Sequence, residues 1–379
     1  MCEKNFEKGV FLLTGEEMVY ARKSALSRYF NNLHIPREEQ MGLIPISDNC
    51  IFIRARLLSY ALCLILVVLS PTALTQPAEP VSRAEFDNWM EEISNWGRWG
   101  SEDELGTLNL ITEQKRVDAA TLVLDGTTVS LSLFANKRQD SVNANPFQHV
   151  LTVSRFGEHE VAGDTYSVQY HGFAHSHMDG LPHFAHKGQL YNGYSVDTLS
   201  PEGAGRLGIH NAFRGIFTRG ILVDIPWLRG LDYLEPGTAI TAADLEAWEA
   251  RTGVRIGSGD VLLIRTGRWE RVRQLGQWTF VGQAAGSHAS LAKWLKERDV
   301  AVIGSDGVSD VMPSGVEGLV NPLHELVIVG LGMPILDNLD LDPLAETAIE
   351  KNRWEFLFVG SPLRVEGGTG SPMNPLALF

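Results

Sequence analysis

Short apolar runs separated by glycine-containing turns set the rhythm of the chain. They are VSLSLF (129–134), HVLTVS (149–154), GILVDI (220–225), DVLLIRTG (260–267) and VAVIGSD (300–306). Each is brief, rich in β-branched residues and bounded by turn formers, the pattern of buried strands. Helical stretches alternate with them. Thr241-Ala-Ala-Asp244 opens a helix to about Arg251 as a capping box with Asp in place of Glu. Ser287 is placed to cap a helix from His288 to about Arg298, leading straight into VAVIGSD. Residues 84–124 read as helical or looped, with Trp89, Trp96 and Trp99 crowded together; Trp96 and Trp99 read as core aromatics, with the lining of an aromatic substrate pocket as the alternative. Helix followed by buried strand predicts a mixed α/β sheet. Without a linker or repeat beyond Pro80, a single domain over residues 76–379 is expected.

Upstream the pattern changes. Leu57–Leu69 is a 13-residue apolar run preceded by Arg54 and Arg56 and followed by SPTALTQPAEP. A basic flank, a short apolar centre and a small-residue tail read as a secretory signal peptide over residues 54–75, cleaved near Ala73-Leu74-Thr75. The run falls short of the ~20 residues of a spanning helix; the rival reading is an uncleaved anchor. Residues 1–53 carry no coherent pattern. They read as an unstructured extension or as a start placed too far upstream, with Met18 or Met41 as the alternative beginning. The expected location is secreted or periplasmic.

Composition narrows the function. Lys and Arg number 32 against 46 Asp and Glu, a formal net charge of −14. That balance disfavours a nucleic-acid backbone or an anionic membrane as the main partner and leaves a small molecule. All three cysteines (Cys2, Cys50 and Cys63) precede residue 64, so the expected domain has no thiolate nucleophile, Cys-ligated zinc or disulfide.

Five of the 11 histidines lie in HGFAHSHMDGLPHFAH (171–186). Buried imidazoles each need a partner, so such density is improbable as packing. In an extended segment residues i, i+2 and i+4 share a face, which puts His175, His177 and Asp179 together. Gly180 and Pro182 then turn the chain so that His183 returns to the same point. Imidazoles plus a carboxylate suit Zn²⁺ or Mn²⁺. The plainer alternative is a solvated His-rich loop. His171 and His186 read equally as supporting groups or surface residues, and His149, His159, His210 and His288 as structural. Asp306 and Asp310 follow a buried strand, where α/β sheets place functional groups; they read equally as turn formers. GGTGSP (367–372) lacks the Lys-Ser/Thr of a phosphate loop.

His177-x-Asp179-x-x-x-His183-Phe184 resembles the signature H-x-G-T-H-x-D-x-P-x-H-F of the metal-dependent cyclase-family hydrolases, which include kynurenine formamidase and isatin hydrolase. NWGRWGSEDELGTLNLIT (95–112), GDVLLIRTG (259–267), VIGSDGVSD (302–310), PLHELVIVGLGMPILDNLDL (322–341) and GGTGSPMNP (367–375) extend the resemblance collinearly over residues 84–379. The first signature His falls at Phe173, and the Gly and Thr fall at His175 and Ser176. Pro182 stands one residue late. The resemblance therefore leaves His175 to supply the lost ligand; a slipped frame through His171 and His175 misplaces both the Asp and His183.

The resemblance implies an α/β mixed-sheet fold of the kynurenine formamidase type. It places His324 and Asp337 at the family's His and acidic ligand, 13 residues apart, with Asp where Glu is usual and so expected to reach the metal through water. The implied ligands are His175, His177, Asp179, His183 and Asp337. His324 is the expected general acid/base, with His183 sharing that duty if it does not ligate. The implied activity is hydrolysis of an amide, formamide, cyclic amide or lactone, the substrates aromatic and the enzyme a homodimer. Two other readings stand beside it: a secreted metal-binding or interaction protein on a degenerate hydrolase scaffold, and a lyase or dehydratase using a His base.

Overall fold

The computed structural model describes residues 77–379; the leader read at 54–75 and residues 1–53 lie outside the described residues. Apart from four two-residue strands, the strands in chain order are β1 (Thr128–Ser130), β2 (Gln148–Phe156), β3 (His159–Ser167), β4 (His177–Asp179), β5 (Ile216–Asp224) and β6 (Val261–Arg265), followed by β7 (Val302–Ser305), β8 (Ile335–Asp337), β9 (Glu355–Gly360), β10 (Gly370–Pro372) and β11 (Leu376–Leu378). All except β2 and β3 belong to one nine-stranded sheet, ordered β1-β11-β9-β5-β6-β7-β8-β4-β10. Its centre, β5 to β8, is parallel. Both flanks are antiparallel. The described residues thus form a mixed α/β domain.

The three apolar runs at 220–225, 260–267 and 300–306 supply the parallel centre, where both sheet faces are covered and strands read as continuous apolar stretches. Their side chains from Ile221 to Val223, Val261 to Ile264 and Val302 to Ile303 are all buried in the main core. Crossover helices join them. One, Ala242–Thr252, begins as the capping box predicts, with the Thr241 N–H donating to the Asp244 carboxylate at 2.9 Å.

Three expectations are corrected. The helix expected from His288 begins at Leu291, because Ser287 is in a short parallel pair and the His288 N–H donates to the Ile240 carbonyl at 2.8 Å. HVLTVS is a strand but not a buried one: every residue of β2 and β3 is exposed. Trp89 is in the core, but Trp96 is 36% exposed and donates its indole N–H to the Val329 carbonyl at 2.7 Å, and Trp99 lies against Arg98.

The topology leads to one end of the sheet. β4 runs antiparallel to β8, with His177 the register partner of Asp337. The start of β4 therefore meets the carboxyl end of β8, beside the loop that follows β7. This is the end of a parallel sheet where diverging loops leave room for a site.

Candidate metal centre

Strand β4 is only three residues long, and it is buried throughout. His177 and Asp179 project from one face, while Met178 points into the core on the other. The His183 N–H donates to the Gly180 carbonyl at 3.1 Å, closing a turn that brings the His183 imidazole to 3.7 Å from the Asp179 carboxylate. Gly180 and Pro182 do bend the chain as their positions imply.

Asp179 is the hub. Its Oδ1 lies 2.7 Å from His171 Nδ1 and 3.3 Å from His177 Nε2, and its Oδ2 lies 3.4 Å from His324 Nε2. Two triads of donor atoms share it: His171, Asp179 and His183, and His177, Asp179 and Asp337, with the atoms of each triad within 4.8 Å of one another. Burial opposes the charge on Asp179, yet the surrounding His177 and His171 imidazoles hold its carboxyl well below the usual range.

The imidazoles are oriented by their outer nitrogens. The His177 Nδ1–H donates to the His175 carbonyl at 2.8 Å, which turns Nε2 toward the carboxylates. His324 Nδ1 is 2.5 Å from Asp310, which also accepts the backbone N–H of Leu323 at 2.7 Å. His324 Nε2 then points between Asp179 and Asp337, 3.2 Å from the latter. Ligating histidines are held in this way by a carbonyl or carboxylate on the far ring nitrogen. Burial works against protonating His177 and His324, but Asp179 raises the first above its ordinary value and Asp337 raises the second well above it.

Two residues read from the sequence change places. His175 is not brought into the cluster. The backbone bends through residues 171–175 and β4 begins only at His177, so the alternation that would put His175 beside Asp179 does not extend that far. Its ring is buried near Phe147, with Nε2 unpartnered. His171 fills the space instead, its ring stacked on that of His183 at 3.8 Å and 4°. His324, expected as the proton-transfer group, has its two ring nitrogens facing three carboxylates and is itself buried, a ligand's setting. Asp337 needs no longer side chain, since its strand register carries it directly into the cluster.

Other groups were missed or misjudged. Thr369 Oγ1 meets His171 Nε2 at 3.0 Å. It sits in GGTGSP, which forms the strand flanking β4, and the collinear resemblance there was the available signal. A Cβ on Gly370 would lie 2.3 Å from the Met178 carbonyl oxygen and 2.9 Å from His171, so only glycine lets β10 pass that close. Asp306 accepts the N–H groups of Thr266, Gly267 and Arg268, 38 to 40 residues away, so it fastens the loop after β6 and matches neither the turn-forming nor the site reading. His186 pairs with Glu325 at 2.5 Å, outside both donor triads.

The cluster opens on one side. His171 and His183 are 27% and 25% exposed, whereas His177 and Asp179 are almost fully covered. Tyr170 packs 4.5 Å from the His171 ring, and Phe184 lies 5.0 Å from His183 and 5.2 Å from His324. Burial pushes His183 down to about 4, with Asp179 offsetting only part of the effect, so its imidazole is neutral at pH 7.

This combination of sheet and histidine–aspartate cluster is that of the cyclase family, and the chain belongs to it: the family model, described as "Putative cyclase", matches residues 72–310. The crystal structure of a novel cyclase is 28% identical, with a TM-score of 0.70, the match covering 76% of this chain and 99% of that one. An isatin hydrolase bound to the product analogue thioisatinate is 18% identical with a TM-score of 0.48, covering 71% of this chain and 99% of that one. Isatin hydrolase A from Ralstonia solanacearum is 22% identical with a TM-score of 0.47, covering 70% and 97%. No curated protein matches the chain in sequence.

Proposed function

We propose that the protein is a metal-dependent hydrolase that opens an amide, formamide, cyclic amide or lactone bond. The observation that carries this reading is Asp179, a buried carboxylate shared by two triads of histidine and aspartate donors. Buried charges are paired or coordinate metal, and two carboxylates among oriented imidazoles fit Zn²⁺ or Mn²⁺. His177, Asp179 and Asp337, with His324, would hold a cation at the covered end. A second position is offered by His171, Asp179 and His183. A divalent cation there supplies Lewis acidity, acidifying a water and polarising a carbonyl oxygen.

The chain's own groups do the rest. Asp310 and the His175 carbonyl hold the outer nitrogens of His324 and His177, so that each ring turns Nε2 inward, where it would bind a cation once deprotonated. Where that second position holds no cation, neutral His183 stands at the opening, where it can take a proton from water and deliver it to a leaving amine or alkoxide. Tyr170 and Phe184, packed against the His171 and His183 rings, offer a substrate aromatic surface beside them. The degenerate-scaffold reading rested on Phe173 and Asp337; His171 and the β4–β8 register supply the donors it counts as missing. The leader at 54–75 adds secretion or periplasmic export, which N-terminal sequencing of the exported protein tests.

The test uses an N-formyl arylamine, isatin and an aryl lactone. Chelation should abolish turnover, Zn²⁺ or Mn²⁺ should restore it, and Asp179→Ala should lose both metal and activity. In ¹⁸O-water the product acid should carry label. Turnover without metal, full activity in Asp179→Ala, or an unlabelled eliminated product overturns the reading.

A further inference from the structure

Away from the metal centre, a cavity of about 390 Å³ opens beside Gly215, the residue before β5. It lies at the amino end of the parallel strands, whereas the cluster around Asp179 lies at their carboxyl end. Leu105, Leu108, Ile111 and Phe213 give it an apolar wall, and its volume is that of a small-ligand pocket. The stretch leading to residues 211–215 is held firmly. Glu104 accepts the Leu207 N–H at 2.6 Å and the Asn211 amide at 2.9 Å, and Leu207 is a buried residue with a φ of 66°. A bulky side chain in that conformation persists only where its surroundings fix it, and such strain gathers at ligand sites.

The polar groups of the wall lack partners. Arg206 and Arg219, near it in sequence, pair with Glu104 and with Asp260 and Glu355. Arg116 and Arg214 line the cavity and make no ion pair or hydrogen bond among the described residues. Arg214 and the equally unpaired Arg364 both lie against the Phe213 ring, 5.8 and 5.5 Å from its centroid. Glu113 is the one acidic residue on the wall. It stands in the first turn of the helix Glu113–Ala120, where the N-terminal dipole offsets its charge. Asn109 and Asn211 each give an amide N–H to a carboxylate, Asp103 at 2.7 Å and Glu104 at 2.9 Å. Those bonds orient both side chains and leave their carbonyl oxygens as open acceptors.

We propose that this cavity binds a small aromatic carboxylate carrying an amino or hydroxyl group on its ring. Each part of such a ligand has its counterpart in the wall. Two uncompensated guanidiniums make a local positive patch on a chain of net charge −14, and their planar fork matches a carboxylate. The apolar wall and the exposed Phe213 take the ring, on which a guanidinium also stacks. The asparagine carbonyls accept from the amine or hydroxyl. Opening a cyclic aryl amide or lactone releases this class of compound. That link rests on the proposed function, whereas the binding does not.

Calorimetric titration of the full-length, metal-loaded protein with 2-aminobenzoate tests it, with benzoate, aniline and phenyl phosphate for comparison. Benzoate should bind several-fold more weakly than 2-aminobenzoate, and aniline should not bind measurably. Silencing the metal centre by Asp179→Ala, or by chelation of wild type, should leave the 2-aminobenzoate site intact. Arg116→Gln/Arg214→Gln should weaken that site by roughly tenfold or more, the loss of a charge-assisted hydrogen bond, with an unchanged thermal midpoint. Failure of the hydrolase reading leaves this titration unchanged. Loss of 2-aminobenzoate binding in both metal-silenced proteins puts the carboxylate at the metal centre and overturns the proposal. So does wild-type affinity in the double arginine variant, or tighter binding of phenyl phosphate, which marks a phosphate site.

Discussion

Asp337 and His177 are direct cross-strand partners, facing each other across the antiparallel pair of β8 and β4. Residues opposite one another in such a pair have Cβ atoms ~5 Å apart on one face. The pairing sets the Asp carboxylate beside the imidazole without a longer side chain. Ser309 Oγ completes the arrangement by donating to Asp337 Oδ1 at 2.8 Å. Asp337→Glu should therefore overpack a filled site rather than restore a better ligand. Thermal and metal titrations should show a loss of about 1–3 kcal/mol in stability and no gain in metal affinity. Tighter binding by the Glu variant would mean that Asp337 does not reach the cation.

His171 and His175 should separate cleanly. His171 stacks on His183 and touches Asp179, whereas His175 faces away toward Phe147. His171→Ala should lower metal content or affinity at the open end of the cluster, while His175→Ala should bind metal as wild type does. Inductively coupled plasma mass spectrometry on both variants decides it.

The groups behind the ligands should matter almost as much as the ligands. Asp310→Asn removes the carboxylate that orients His324, and loss of such a partner costs ~10–100-fold in metal affinity or activity. Asn338 works on His177 at one remove. Its amide donates to the Gly172 carbonyl at 2.7 Å and accepts from Arg268 at 2.6 Å, pinning the loop whose His175 carbonyl orients His177. Asn338→Ala should weaken metal binding in the same direction. Competition with a fluorescent chelator measures both.

Metal loading should release protons. In the metal-free protein the carboxylates raise His177 above its ordinary value and His324 well above it, despite burial. Below those raised values the rings carry protons that a cation must displace. Release should be greatest at the acidic end and should shrink as pH rises through those raised values. Calorimetric titration with Zn²⁺ in buffers of different ionisation enthalpy reads the number released. A release that does not shrink with rising pH would mean that the protons do not come from these rings.

Much of the site was legible from spacing alone. His177 and Asp179 share a face because a strand alternates, and His183 returns because Gly180 and Pro182 follow; both are local rules. Asp306 and Asp310 could not be told apart, since each follows the same strand. Only the helix packed opposite gives Asp310 a histidine to orient, while Asp306 receives backbone N–H groups. The exchange of His171 for His175 was equally hidden, because it depends on where the backbone bends before β4 and on Asn338 and Arg268 gripping that bend from distant parts of the chain.

The sequence by itself determined the family, the parallel strands at the centre of the sheet and the donor chemistry gathered around residues 171–186. Those follow from hydrophobic runs and residue types that act over a few positions. Tertiary structure decided which imidazoles face Asp179, that His324 faces Asp179 and Asp337, and that HVLTVS stands outside the core. An apolar strand records its own β-forming tendency but not what covers it; burial is a property of the neighbours that folding brings to it.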